Sequence, residues 1–541
     1  MTKVTFLVRQ SLFHNPRRTI CSSSSRSSTS PQRWKAAAAP AVAPGPLKPF
    51  VDIPGPLALP MLRHSAHVLP RIGSFHHTVG LGLLERLRNR YGDLVRLAKA
   101  SRTRPVLYVF HPEMMREVYE SQATEPPRWE RSPLCEQRKS VPSLCPISGD
   151  ETNAIWTGLR ILFQDGTILK NYEKAFEEIA IDATERLGAL RYAGNALNEE
   201  LETEIYRWAL ETVGLMMFGL RLGCLDGDVH VPTPDNKTPE KTSMDDHTPD
   251  LCSLSKRSLA DLTPAERLVR CTREIADGSH LVRSEHTLKT DSQVFAQALK
   301  AFDTHISLTD HFLTRALQDL DSGEMRPEQI LLYKLRPLDR RILPLSSDIL
   351  LAGIDPLVQT AISMFYQLSL QAAQQQRAHD EVAWSTASKD AGAGAIEMPY
   401  IAACVREAMR LLPATGGVVR RSMEPLAVGG YEVPEGVDLV LAHGVSSRLD
   451  TEWRRAKAFI PERWCTEGWE PIRASKAHSF ASMPFGETCP ATDIVNNMLS
   501  QLAMRVLEKY RLEWHGPAPN MATTGVNKLQ PPFYFVLQNA A

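Results

Sequence analysis

The sequence predicts a mainly α protein with small β-sheets, and three observations predict it. Apolar residues recur at helical spacing over long stretches: Asn171 to Arg191, Leu201 to Phe218, Gln293 to Asp319, Leu343 to Val382 and Met398 to Leu412. Strand-like runs are short and bounded by Gly and Pro. The chain has 541 residues, 43% of them hydrophobic, enough for one large core.

The first 45 residues stand apart. Lys3, Arg9, Arg17, Arg18, Arg26, Arg33 and Lys35 all precede the first acidic residue, Asp52, and Ser22 to Ser25 lie among them. Arg-rich, Ser-rich and acid-free is the composition of a mitochondrial transit peptide; a plain basic tail is the alternative. An Ala/Pro-rich linker, Ala36 to Pro46, follows, and residues 46–541 read as the folded domain. Gly82 to Tyr91 reads as helix, and Leu94 to Ala98 and Pro105 to Phe110 as strands, with a helix after His111-Pro112. Leu426 to Val433 and Val437 to Ala442 read as strands. Asp226 to Ser255, rich in Asp, Thr, Pro and Lys, reads as a disordered insertion.

Charge and cysteine usage exclude some classes. Basic and acidic residues balance at 62 each, which argues against nucleic acid as a partner. The nine cysteines form no C-x-x-C pair, so neither a zinc finger nor a disulfide framework is indicated. No uninterrupted apolar run of about 18 residues suggests a membrane span.

Chemistry points to Cys489, in the stretch Phe480-Ala-Ser-Met-Pro-Phe-Gly-Glu-Thr-Cys489 before a long apolar helical run. A thiolate there can bind haem iron axially and push electron density onto it. A lone cysteine is more often a small buried hydrophobe. Glu407 and Arg410, three apart on the Met398 to Leu412 helix, share a face and can pair, as ordinary helix charges also do. Phe459-Ile-Pro-Glu-Arg463-Trp464 lies between that helix and Cys489.

In this ordered series the chain resembles the cytochrome P-450 monooxygenases of mitochondrial type, over roughly Pro54 to Leu537. The resemblance implies the cytochrome P-450 fold and haem b with Cys489 as its axial ligand. It makes Glu407, Arg410 and Arg463 a buried structural triad, through E-x-x-R and P-E-R-W. Trp156 and Arg160 are similar to W-x-x-x-R, whose side chains address the haem propionates, and Arg420 matches a further propionate-binding arginine. Leu350-Leu-Ala352-Gly353-Ile-Asp355-Pro356 is similar to A-G-x-[DE]-T: Ala352 and Gly353 let the helix approach the iron, and Asp355 guides protons. Pro356 replaces the family's threonine, so protons would come by ordered water or by Asp355, and Thr360 lies one turn further along. A solvated Asp355 beside a structural kink is the alternative.

The cysteine loop departs furthest from the family. Only Glu487 and Thr488 separate Gly486 from Cys489, three residues short of F-G-x-G-x-R-x-C-x-G, and Ala491 follows where the family has glycine. Two classes stay open: an active haem-thiolate monooxygenase, or an inactive relative that keeps the fold and binds a lipid. Substrate would sit among Arg128 to Asp150, Leu350 to Thr360, Pro413 to Val419 and Thr523 to Val526. The apolar Gly416 to Val419 wall suits a steroid-like hydrocarbon, an ecdysteroid or a xenobiotic; core packing explains the same residues. Electrons would come from a mitochondrial ferredoxin with its NADPH-dependent reductase, steered by Arg406, Arg454, Arg455 and Lys457, or those charges are a solvated face. Matrix location with peripheral inner-membrane contact goes with that assignment.

Overall fold

The computed structural model describes residues 46–56, 80–97, 104–125, 150–164, 166–191, 196–197, 200–227, 229, 254, 257–283, 293–390, 398–465, 470–486, 489–523 and 526–540. The expected transit peptide, nearly all of the Asp226 to Ser255 insertion and of the Arg128 to Asp150 loop lie outside the described residues.

Helices carry the fold: α1 Gly80–Tyr91, α2 Pro112–Glu120, α3 Asp150–Phe163, α4 Gly166–Ala189, α5 Leu201–Phe218, α6 Pro264–Arg283, α7 Gln293–Asp321, α8 Ile342–Ser369, α9 Ala372–Asp390, α10 Pro399–Leu411, the short α11 His443–Ser446 and α12 Thr492–Lys509. Local chemistry starts several of them. His111 caps α2 by accepting from the Glu113 N–H, with Pro112 in the first turn, where its missing N–H costs nothing. Glu381 of α9 accepts the Tyr400 and Ile401 N–H groups at the head of α10, setting a carboxylate on a helix N-terminus. The bounds of α5 agree with the expectation at both ends, because Gly219, at φ +67°, stops it in the left-handed conformation glycine favours.

One sheet has five strands in the order β1-β2-β7-β4-β3. They are β1 Leu94–Leu97, β2 Val106–Val109, β3 Thr124–Glu125, β4 Val418–Ser422 and β7 Asp438–Leu441. β2 and β7 run parallel, with Val106 opposite Asp438, and the other pairs are antiparallel. A hairpin of β5 Leu426–Val428 and β6 Tyr431–Val433 pairs with Lys48–Pro49, and β8 Tyr510–Trp514 pairs with β11 Phe535–Asn539. β9 Met521–Thr523 and β10 Asn527–Leu529 form a last hairpin.

At the centre, α8 packs against α5 and α10. The helical run Pro327–Ser369, which ends in α8, is long and apolar enough to cross a membrane, yet most of its apolar window is packed inside the protein, as a core helix would be.

Two expectations need correction. Leu343 to Val382 is not one helix: α8 stops at Ser369 and α9 begins at Ala372. Gln375 reaches back to the Leu368 carbonyl at 3.1 Å and also pairs with the Leu512 backbone, which holds the bend. Leu426 to Val433 is a hairpin, because Gly429 and Gly430 take φ of +56° and +80° and reverse the chain. Helix α6 went unread, although Thr263 and Glu266 form a reciprocal capping box at its start.

Candidate active site

The triad forms around one carboxylate. Glu407, fully buried on α10, accepts Arg410 Nε and Nη2 at 2.8 and 2.7 Å and Arg463 Nε at 3.1 Å. It also takes the Ile460 N–H and the Trp464 indole, both at 3.0 Å. The remaining donors of Arg410 end on the carbonyls of Ser447, Ala456 and Ala458, and Arg463 reaches the Arg455 carbonyl. Burial pulls the Arg463 pKa down, with Glu407 opposing it. Paired charges this deep persist only when nearly every donor is met, and here two guanidinium groups pin an irregular segment to a helix. The indole of Trp464 is a member that sequence reasoning missed; its signal was the final W of P-E-R-W.

Helix α8 presents an open face. Ala352 and Gly353 are exposed although the helix around them is largely buried, and a Cβ on Gly353 would meet nothing within 4 Å. Helical spacing puts the half-buried Pro356 and, deeper in, the buried Thr360 on that same side. The helix runs through Pro356 without ending. Thr360 Oγ1 donates to the Pro356 carbonyl at 2.7 Å, so its proton is already engaged.

Asp355 leans to the flank. It is buried, not solvated: Tyr206 of α5 donates to its Oδ1 at 2.6 Å, and Lys528 of β10 lies 3.2 Å away. Lys528 also reaches Asp277 of α6 at 3.2 Å. Burial alone would lower the Lys528 pKa, but Asp355, Asp277 and Glu202 raise it overall. The Tyr206 phenol is pushed well up, first by burial and then by Asp355. Nothing local in the sequence announces Tyr206 or Lys528 as partners of Asp355.

The expected haem contacts divide. Cys489 is exposed, three residues ahead of α12. Its packed side raises the thiol pKa, while the Ala491 N–H pulls the other way; the exposed side is what a cation would face, and a cation deprotonates a coordinating thiol. Arg160, on α3, has a buried Nε with no partner among the described residues, as a donor awaiting an anion would. Trp156 lies one turn before it on α3, and its side chain is outside the described residues. Arg420, on β4, differs from expectation: Nε and Nη2 bind the Thr124 hydroxyl and carbonyl at 2.9 and 2.8 Å, and its guanidinium lies over the Tyr119 ring. The edge strand β3 therefore engages two of the donors expected at a propionate. An orphaned arginine donor, an open small-residue helix face and an exposed thiol together fit haem b.

Arg406, Arg454, Arg455 and Lys457 are all exposed. Arg406 immediately precedes Glu407, and the other three sit in the segment that the triad arginines hold. The Gly416 to Val419 stretch is corrected in part. A Cβ on Gly417 would run into the Leu441 carbonyl, so close backbone packing requires that glycine.

The cytochrome P-450 family profile matches residues 64–537. The chain is 24% identical over 500 residues to the probable cytochrome P-450 49a1 of Drosophila melanogaster, covering 87% of this chain and 79% of that one. It is 23% identical over 500 residues to the probable mitochondrial cytochrome P-450 301a1 of the same fly, covering 88% and 84%. It is 26% identical over 439 residues to the mitochondrial 25-hydroxyvitamin D-1 alpha hydroxylase of Homo sapiens, covering 77% and 79%. With the profile spanning most of its length and the triad intact, this chain belongs to the cytochrome P-450 family, the monooxygenases that bind haem through an axial cysteine thiolate.

Proposed function

We propose that this protein hydroxylates an apolar, steroid-like substrate with electrons from a mitochondrial ferredoxin, an ecdysteroid being the sharper choice. The open face of α8 carries the reading. The exposed Ala352 and Gly353 and the half-buried Pro356 give it neither charge nor hydroxyl, so it offers hydrocarbon to hydrocarbon. A relative named for hydroxylating 25-hydroxyvitamin D supports the same class.

Haem b, held by Cys489, supplies the oxygen-activating redox chemistry when bound. The chain's own groups do the rest. Arg160 offers a propionate its buried Nε, which has no partner among the described residues. Asp355, held between the Tyr206 hydroxyl and Lys528, relays protons beside the open face. The exposed Arg406, Arg454, Arg455 and Lys457 steer an acidic ferredoxin electrostatically. A mitochondrial address fits the names of the relatives and the acid-free N-terminus.

A carbon monoxide difference spectrum of the reduced protein tests the reading. The red-shifted thiolate band is expected in the parent and lost in Cys489→Ser. Absence of the band from the haem-loaded parent would favour an inactive, lipid-binding relative. Sterol, ecdysteroid and xenobiotic panels, read as shifts of the haem absorption on binding, then rank the substrate classes.

A further inference from the structure

The chain leading to Cys489 is clamped before it reaches the cysteine. His443, at the start of α11, is buried between Tyr119 of α2 and Phe480. Its Nδ1 lies 3.0 Å from the Phe480 carbonyl and its Nε2 lies 2.9 Å from the Tyr119 hydroxyl. A carbonyl only accepts, so Nδ1 carries the proton and Nε2 must accept from the Tyr119 O–H. One tautomer satisfies both bonds. The Tyr119 ring stacks on His443 and on Phe480, with centroids 5.7 and 5.4 Å apart.

Neighbouring contacts extend the clamp toward the cysteine. The Phe480 N–H donates to His478, whose other nitrogen is 3.0 Å from Glu113 of α2. Ser446 of α11 donates to the Ala481 carbonyl at 2.8 Å. Gly486, at φ +62°, lies so close to Val418 of β4 that a Cβ there would sit 3.0 Å from Cγ2. After Gly486 only Glu487 and Thr488 precede Cys489. Three residue steps reach at most about 11 Å, so little slack separates the clamp from the thiol.

We infer that His443, oriented by Tyr119, is a positioning residue for the Cys489 loop, fixing where the thiol stands through its bond to the Phe480 carbonyl. The inference rests on the reading of Cys489 as the iron ligand. The short loop sharpens it, because a longer one would absorb a shift at Phe480.

Three variants of the full, haem-loaded chain test it. His443→Phe removes both bonds at similar size, whereas His443→Asn keeps a donor where Nδ1 stands, and Tyr119→Phe leaves the Phe480 bond in place. Carbon monoxide difference spectra should show the thiolate-ligated fraction falling at least fivefold in His443→Phe and staying within about twofold of the parent in the other two, at a temperature where circular dichroism reports an intact fold. A parental fraction in folded His443→Phe overturns the inference. If His443→Phe does not fold, Tyr119→Phe/His443→Ala takes its place: a fall of the same size supports the inference, and a parental fraction with the fold intact overturns it. Persistence of the band in Cys489→Ser, or its absence from the parent, defeats the ligand reading instead. Alkylation of Cys489 in the haem-free full chain still reads the clamp then: a several-fold faster rate in His443→Phe, or in Tyr119→Phe/His443→Ala if that variant does not fold, supports it, and an unchanged rate overturns it.

Discussion

Glu407→Gln isolates the energetics of the buried triad. Oε1 accepts Arg410 Nη2, Arg463 Nε and the Ile460 N–H, while Oε2 accepts Arg410 Nε and Trp464 Nε1. A carboxamide oxygen can replace only one of these corners. Keeping it at the three-donor corner turns the NH2 toward the other two donors and leaves two buried guanidinium groups without a counter-charge. Breaking a buried ion pair by removing one partner costs about 3–5 kcal/mol. The lower end applies here, because Arg410 keeps its bonds to the Ser447, Ala456 and Ala458 carbonyls. Even about 3 kcal/mol is a large share of a total stability of about 5–15 kcal/mol. With a urea dependence of about 3 kcal/mol per molar, the unfolding midpoint should fall by about 1 M. Far-ultraviolet circular dichroism follows the whole chain, and tryptophan fluorescence adds the nine indoles, Trp464 and its neighbour Trp453 among them. Adding Arg463→Met should recover part of the loss by removing one uncompensated charge. A midpoint within about 0.2 M of the parent, well below the shift worked out above, would refute the assignment of the carboxylate as the hub.

Acid should destabilise the protein well before its carboxylates titrate. Burial holds His443 down at about 4 and His305 at about 3, so the unfolded chain binds more protons below pH 6.5. Their contribution is complete above about pH 6.5 and declines as pH falls, by about 2 kcal/mol each at pH 5; urea midpoints at pH 7 and 5 measure it, and a flat profile counts against neutral buried imidazoles. Asp355→Asn should slow turnover and uncouple oxygen consumption from product, while lowering the Lys528 pKa. Product formed per oxygen consumed is the readout, and unchanged coupling removes Asp355 from proton handling. Charge reversal at Arg406 and Lys457 should slow reduction by an acidic ferredoxin and weaken its salt dependence; parental reduction that ignores ionic strength would end the steering idea.

What the sequence disclosed depended on how far each determinant lies along the chain. Helix α5 was legible to the residue, because its periodicity and its terminal Gly219 are both local. The triad was legible through two short motifs in order, although each alone is common. The break between α8 and α9 was not, since it depends on Gln375 pairing with Leu512, 137 residues away. Arg420 read as a propionate ligand, yet its contact with Thr124 spans 296 residues and has no sequence signature. Tyr206 reaches Asp355 across 149 residues in the same silent way. Gly417 fits either an open wall or a crowded crossing of strands, and only the Leu441 carbonyl beside it decides.

The carbonyls of Ser447, Arg455, Ala456 and Ala458 all end on the two triad arginines. That segment has no long helix or strand, and by outward form it would be a cleavage site. Proteases require a backbone that can be drawn out into an extended strand, and freeing any of these carbonyls uncovers a buried guanidinium. Limited digestion of the folded protein should therefore spare residues 447–465 until the whole chain opens. Coil held in this way should resist digestion as well as the helices around it do.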